Sequence, residues 1–236
     1  VLAQVVYYSF AWLRVSSPGQ KVLVSVPTGN FGDIFAGYMA WRMGLPVERL
    51  LLATNENNIL TRFINDGDYS VGTVVQTLSP SMDIQIASNF ERSLYYLFNM
   101  NPEKVKAAFC QLKGEGRIVF ADSDMEKVRI DFISSSVGRE ETIRTIRDFM
   151  NETGYLLDPH TAVGIRAAQR MACEGVPVVC LATAHPAKFS DAVLEATGKP
   201  VPVPEIITRL EGLPARCAVL PADIDRIRQF VVENTK

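Results

Sequence analysis

Apolar residues recur along this chain in two rhythms. Short runs dense in Val, Ile and Leu, bounded by turn residues, alternate with longer stretches where apolar positions return every three or four residues. The first rhythm marks buried strands and the second marks helices with one face on a core. Lys21-Val22-Leu23-Val24-Ser25-Val26-Pro27 is a strand run entered from the turn Ser16-Ser17-Pro18-Gly19-Gln20. The glycine loop Thr28 to Asp33 follows. Ile34 to Leu45 then reads as a helix that stops before Pro46, because the residue preceding a proline is steered out of helical geometry. Arg49 to Thr54 is the next strand and Ile59 to Ile64 the next helix. Strand, helix, strand at this spacing is a βαβ unit, the building block of parallel sheets.

Beyond the irregular stretch Ser70 to Asp83, the pattern predicts helices over Asn89 to Phe98 and Pro102 to Leu112, with short strands or loops between Gly114 and Val137. Helices follow at Gly138 to Thr153 and Thr161 to Cys173, the latter capped by the loop Leu156 to His160. Val176 to Leu181 reads as a second buried strand, with helices at Pro186 to Thr197 and Asp223 to Asn234. The expected fold is α/β, an open, mostly parallel sheet flanked by helices. One domain is expected over residues 1–236, with a helical insertion around 86–137. Val1 to Leu13, apolar nearly all round and broken only by Gln4 and Ser9, predicts a helix buried on almost every side. Such a helix at residue 1, without Met or a capping residue, reads as a chain cut from something longer.

Charge narrows the partners. With 24 Lys+Arg against 26 Asp+Glu, the chain lacks the cationic surplus that nucleic acid or an anionic membrane would call for, so neither is an expected partner. Its apolar runs fall short of the roughly 20 residues a membrane-crossing helix needs. With no basic leader at the start, the expected location is cytoplasmic. Cys110, Cys173, Cys180 and Cys217 show no CxxC spacing and His160 and His185 are isolated, so no metal site is expected and the cysteines read as small, mostly buried apolar residues.

Three loops could carry chemistry. Thr28-Gly29-Asn30-Phe31-Gly32-Asp33 joins the end of a strand to the start of a helix, where backbone N–H groups and the helix dipole favour a phosphate. It has neither the Lys-Ser/Thr of a triphosphate loop nor the glycine spacing of a dinucleotide fold, and a plain β-to-α turn is the competing reading. Ala182 to Phe189 also follows a strand, and ligands of open parallel sheets bind at that edge. Thr183 offers a hydroxyl and Lys188 a cation, against a helix cap plus a surface lysine. In Asp158-Pro159-His160-Thr161 either Asp158 or Thr161 is a candidate cap, and an isolated His160 is more often structural than catalytic.

Six blocks taken in order resemble the threonine synthase family, in its longer bacterial and fungal form, of the fold-type II pyridoxal-phosphate enzymes. They are Pro27 to Asp33, Ala53 to Leu60, Ser79 to Gln85, Ser88 to Arg92, Asp158 to Gly164 and Thr183 to Phe189. The resemblance implies a tryptophan synthase β-like fold and conversion of O-phospho-L-homoserine and water to L-threonine and phosphate on pyridoxal 5'-phosphate. It implies that the backbone of Gly29, Asn30, Phe31, Gly32 and Asp33 holds the cofactor phosphate, that Thr183 faces the pyridine nitrogen, and that Asn55, Ser81, His160 and Lys188 are substrate or structural contacts. The family's Schiff-base lysine stands in a Phe-Lys-Asp segment of the amino-terminal half. None of Lys21, Lys104, Lys106, Lys113, Lys127, Lys188, Lys199 and Lys236 follows Phe or precedes Asp, so the catalytic lysine is absent from this chain. The expectation is the carboxyl-terminal part of a threonine synthase, inactive alone, with the missing amino-terminal half as its partner. A phospho-lyase giving 2-oxobutyrate and a non-catalytic phosphate-binding remnant are the alternatives.

Overall fold

The computed structural model describes residues 1–210, 212–215 and 217–235; Lys236 lies outside them. The chain divides into two compact units, 1–201 and 202–236. The first opens with a 3-10 turn, Leu2–Gln4, and helix α1, Val5–Val15. Strand β1 (Val22–Pro27), helix α2 (Gly32–Arg42), strand β2 (Val47–Thr54) and helix α3 (Ile59–Asp66) form the expected βαβ unit and its extension. Strands β3 (Tyr69–Ser70) and β4 (Arg117–Ile118) pair antiparallel around helices α4 (Phe90–Leu97) and α5 (Pro102–Glu115). Then come α6 (Asp122–Asp131), β5 (Phe132–Ser136), α7 (Arg139–Thr153), α8 (Pro159–Met171), β6 (Val178–Cys180) and α9 (Ser190–Thr197). The second unit carries the short helix α10 (Glu205–Thr208) and α11 (Ile224–Asn234), whose first turn is capped by the Asp223 carboxylate.

The main sheet runs β5-β2-β1-β6, and all its pairs are parallel. Its central strands alternate sides with period two. Val22, Val24, Val26, Leu50 and Leu52 face the core that collects α1 to α6, while Leu23, Leu51 and Ala53 face a second cluster with Val163 and Ala167 of α8. Both faces are thus covered, which is why these strands read as unbroken apolar runs. Helix α8 lies close on β1: a Cβ on Gly164 would stand 3.0 Å from Pro27 Cγ, and Ser25 Oγ donates to the Gly164 carbonyl at 2.7 Å.

Four expectations change. Between Gly114 and Val137 the chain forms a ten-residue helix, α6, and an edge strand of the main sheet, β5. Helix α6 is hard to see in sequence because its strongly charged surface leaves only Met125 and Val128 buried. The strand at Val176 to Leu181 shortens to three half-buried residues, because β6 is an edge strand paired only with β1 among the described residues. Helix α1 buries only Val5 and Tyr8; Val6, Tyr7, Phe10 and Leu13 on its remaining surface are exposed. Cys110, Cys173 and Cys217 are exposed, and only Cys180 is shielded enough for burial to push its thiol pKa up to about 11.

Candidate functional site

Chain order and strand order diverge at β1. From it the chain moves outward to β2 and β5, then returns to pair β6 on the other side. The carboxyl ends of β1 and β6 therefore flank the sheet's switch point, where open parallel sheets leave a crevice. A cavity of about 210 Å3 lies there, lined by Gln4, Pro27, Gly29, Asn30, Asp33, Ser81, Met82, His160, Thr183, Ala184 and Lys188. Seven of the ten residues singled out from sequence share it, drawn from four separate stretches of chain.

The floor is the loop between β1 and α2. Phe31 has φ 64°, a left-handed conformation uncommon outside glycine. Its buried ring holds it there, packed edge-on against Phe90 at 5.5 Å and tilted against Phe132 at 5.9 Å. A left-handed residue at the mouth of a right-handed helix turns successive N–H groups toward one side, a concavity suited to an anion. The amides of Gly29, Asn30, Phe31 and Asp33 have no hydrogen-bond partner among the described residues. The Gly32 amide does have one: it donates to Asn30 Oδ1 at 2.9 Å. Of the five expected phosphate-holding amides, that one is therefore already engaged within the loop. Asn89 fastens the loop from outside, its backbone and side-chain N–H groups donating to the Asn30 carbonyl at 3.0 and 3.1 Å.

Asp33 brings a carboxyl to the same floor. Burial pushes its pKa up against the hydrogen bond from Tyr8, whose hydroxyl lies 3.2 Å from Oδ1 and 2.7 Å from the Asp33 carbonyl. A raised pKa eases protonation of this carboxyl beside a bound anion.

One wall is the loop Ser79 to Asp83. It approaches the floor so closely that a Cβ on Gly29 would stand 2.6 Å from the Ser81 carbonyl oxygen. Asn55, a candidate contact from sequence, lies behind this wall and does not line the cavity. Its buried amide donates to Thr77 Oγ1 (2.8 Å), Ser79 Oγ (3.0 Å) and Asp83 Oδ1 (2.8 Å), and its Oδ1 accepts from the Asn57 amide at 2.9 Å. The opposite wall is the start of α8 and the loop after β6. Asp158 caps α8, and its pKa ends below the ordinary carboxylate range because hydrogen bonds from His160 and Thr161 outweigh the upward push of burial. His160 is buried between Asp158, Ser81 and the Phe189 ring. Thr183 and Lys188 are exposed at the rim. Met82 and Ala184 join the lining from within two of the six blocks without having been singled out, and Gln4 joins it from outside them, where only the folded geometry delivers it. Among the described residues no group of three or more His, Cys, Asp or Glu is placed to hold a metal ion, and no helix is long and apolar enough to cross a membrane.

Threonine synthase from Pseudomonas aeruginosa is 43% identical to this chain across 99% of its residues. The chain belongs to the threonine synthase family. The family model described as "Threonine synthase, C-terminal" matches residues 161–231. Threonine synthase from Saccharomyces cerevisiae is 40% identical over 99% of the chain. The matches cover 50% of the bacterial relative and 51% of the yeast one, so the chain spans about half the length of these curated relatives. A pyridoxal-phosphate-bound threonine synthase from Brucella melitensis superposes with a TM-score of 0.92 at 42% identity, covering 98% of this chain and 50% of that one. A tomato threonine deaminase, at TM-score 0.51 and 13% identity over 82% of this chain and 46% of that one, shares the fold alone. The fold of the chain is that of the fold-type II pyridoxal-phosphate enzymes.

Proposed function

We propose that this chain forms the cofactor-phosphate side of a threonine synthase site. In this reading O-phospho-L-homoserine and water become L-threonine and phosphate, with pyridoxal 5'-phosphate as cofactor and a lysine from residues outside these 236. The observation that carries the reading is the convergence of Gly29, Asn30, Asp33, Ser81, His160, Thr183 and Lys188 on one cavity at the switch point, in a chain with this family membership. Pyridoxal phosphate, when bound, supplies an electron sink for a replacement at the substrate's β and γ carbons.

The residues present suit that group. Free amides at Gly29, Asn30, Phe31 and Asp33, with the positive end of the α2 dipole, hold its phosphate. The Gly32 amide keeps the loop in shape instead. Thr183 offers the pyridine nitrogen a hydroxyl in place of a carboxylate, which leaves that nitrogen less positively charged. Ser81, His160 and Lys188 face the substrate side, and Lys188 at the rim is free to meet its phosphate. Asn55 acts by ordering the loop that carries Ser81. The exposed apolar residues of α1 pack, in the whole enzyme, against the part that brings the lysine. The chain then works as the carboxyl-terminal part of one catalytic domain, in the cytoplasm.

Thermal shift with inorganic phosphate and with pyridoxal phosphate tests the phosphate site. At about 100 times Kd, either ligand stabilises by about 2.7 kcal/mol, which for a chain of this size raises Tm by roughly 5–10 °C. Mixing the chain with the part of the P. aeruginosa enzyme that it does not match, and supplying phosphohomoserine, tests the reaction. Threonine is expected from the mixture and not from the chain alone. Release of 2-oxobutyrate in its place would make this a phospho-lyase. Ligand binding without either product would favour a binding remnant, and no stabilisation at all would remove the phosphate site.

A further inference from the structure

The Asp158 carboxylate makes more bonds than a helix cap requires. Its Oδ1 accepts the backbone N–H of His160 at 2.8 Å and of Thr161 at 3.3 Å, which completes the cap. Two side chains converge on it as well: His160 Nδ1 lies 3.1 Å from Oδ1, and the Thr161 hydroxyl donates to Oδ2. Each of these side chains reaches on to a different wall of the cavity.

Backbone amides fix the directions. The Ser81 N–H, which can only donate, points at His160 Nε2 at 3.3 Å, so Nε2 is the bare nitrogen and the ring proton sits on Nδ1, facing Asp158. The Thr183 N–H likewise donates to Thr161 Oγ1 at 3.3 Å, so the threonine's own proton goes to Asp158. Four donors thus meet one carboxylate, and only a group that accepts at both oxygens satisfies them all. Asp158, His160 and Thr161 are each more than nine-tenths buried, where such bonds are strong and a missing partner is costly.

We propose that Asp158 is a positioning residue. Through His160 it fixes the loop that carries Ser81, and through Thr161 it fixes the loop that carries Thr183, setting the width of the cavity between them. Its effect on ligand affinity rests on the proposed reading of that cavity; the coupling of the two loops does not.

The test uses the whole 236-residue chain and two independent readouts: NMR resonances of the Ser81 and Thr183 amides with the His160 ring nitrogens, and titration with inorganic phosphate. Thr161→Val keeps the cap but should displace only the Thr183 resonance, while Thr161→Ser restores it. His160→Phe should displace only Ser81. Asp158→Asn, the same size but with a donor replacing one acceptor, should displace both and alter the ring-nitrogen signature of His160. Phosphate affinity should fall about tenfold in Asp158→Asn, the equivalent of one hydrogen bond to a charged group. A folded Asp158→Asn protein with either amide unmoved would overturn the proposal. If Asp158→Asn does not fold, the threonine pair decides, and equal spectra for Thr161→Val and Thr161→Ser overturn it. Absence of phosphate binding by the unmutated chain would count against the functional reading, while the amide pattern would still decide the coupling.

Discussion

At Gly29 the floor of the cavity lies directly against the Ser79 to Asp83 wall, and replacement of this glycine by alanine tests that contact. The added methyl would stand 2.6 Å from the Ser81 carbonyl oxygen and 3.0 Å from Met82 Cα, both of them backbone atoms that cannot swing aside. Reaching ordinary contact means separating the two loops by roughly 0.8 Å, and overpacking of this kind costs about 1–3 kcal/mol. The φ of Gly29 is open to any residue, so alanine recovers about 0.4–1 kcal/mol through a less flexible unfolded chain. The net loss is about 1–2 kcal/mol, or roughly 2–8 °C in Tm for a chain of this length. Gly114 in α5 is the control, since a Cβ there meets nothing within 4 Å. Gly114→Ala should stabilise by up to about 1 kcal/mol. Thermal denaturation of both variants, with phosphate titration of each, reads the two effects. Gly29→Ala with unchanged Tm and unchanged phosphate affinity would show that the loops do not meet as described.

Two further substitutions probe the support around the site. Asn55→Ala leaves Thr77, Ser79 and Asp83 without their shared donor and should cost about 2–3 kcal/mol in urea unfolding; a loss under about 0.5 kcal/mol would mean that the loop is held by other contacts. Burial raises the Asp131 carboxyl to about 6, with Arg42 opposing. A folded pKa above the unfolded value gives this group a stabilising contribution that is full below about pH 4 and lost as pH rises through about 6. Asp131→Asn should therefore stabilise by roughly 1 kcal/mol at pH 7, after discounting for the group's partial exposure, and by almost nothing at pH 4. Equal gains at the two pH values would contradict this.

What could be read from sequence was what local composition dictates. β1 and β2 announce themselves because both of their faces are buried, and the loops at Gly29 and Thr183 because they follow strands and lead into helical turns. β5 was hidden because Phe132-Ile133-Ser134-Ser135-Ser136 lacks the branched apolar density of a strand. Its place is set by pairing with β2 and by Ser134, whose hydroxyl donates to the Leu52 carbonyl at 2.8 Å and meets Thr61 Oγ1 at 2.8 Å. Asn55 was visible as a motif residue, but not its role, since its partners stand 22 to 28 positions later.

Asp158 marks the boundary most clearly. Its bonds to the next two or three residues are local, so a cap was legible in Asp-Pro-His-Thr. The partners that give those bonds a purpose lie 79 positions from His160 in one direction and 22 from Thr161 in the other. No periodicity or propensity links positions so far apart. Thr183 arrives because β6 returns to the far side of β1, and Ser81 because its loop lies against Gly29 just past the end of β1, so the crevice at the switch point has its two walls joined through a single carboxylate. Neighbours along the chain therefore specify the cap, and only the assembled sheet specifies the clamp.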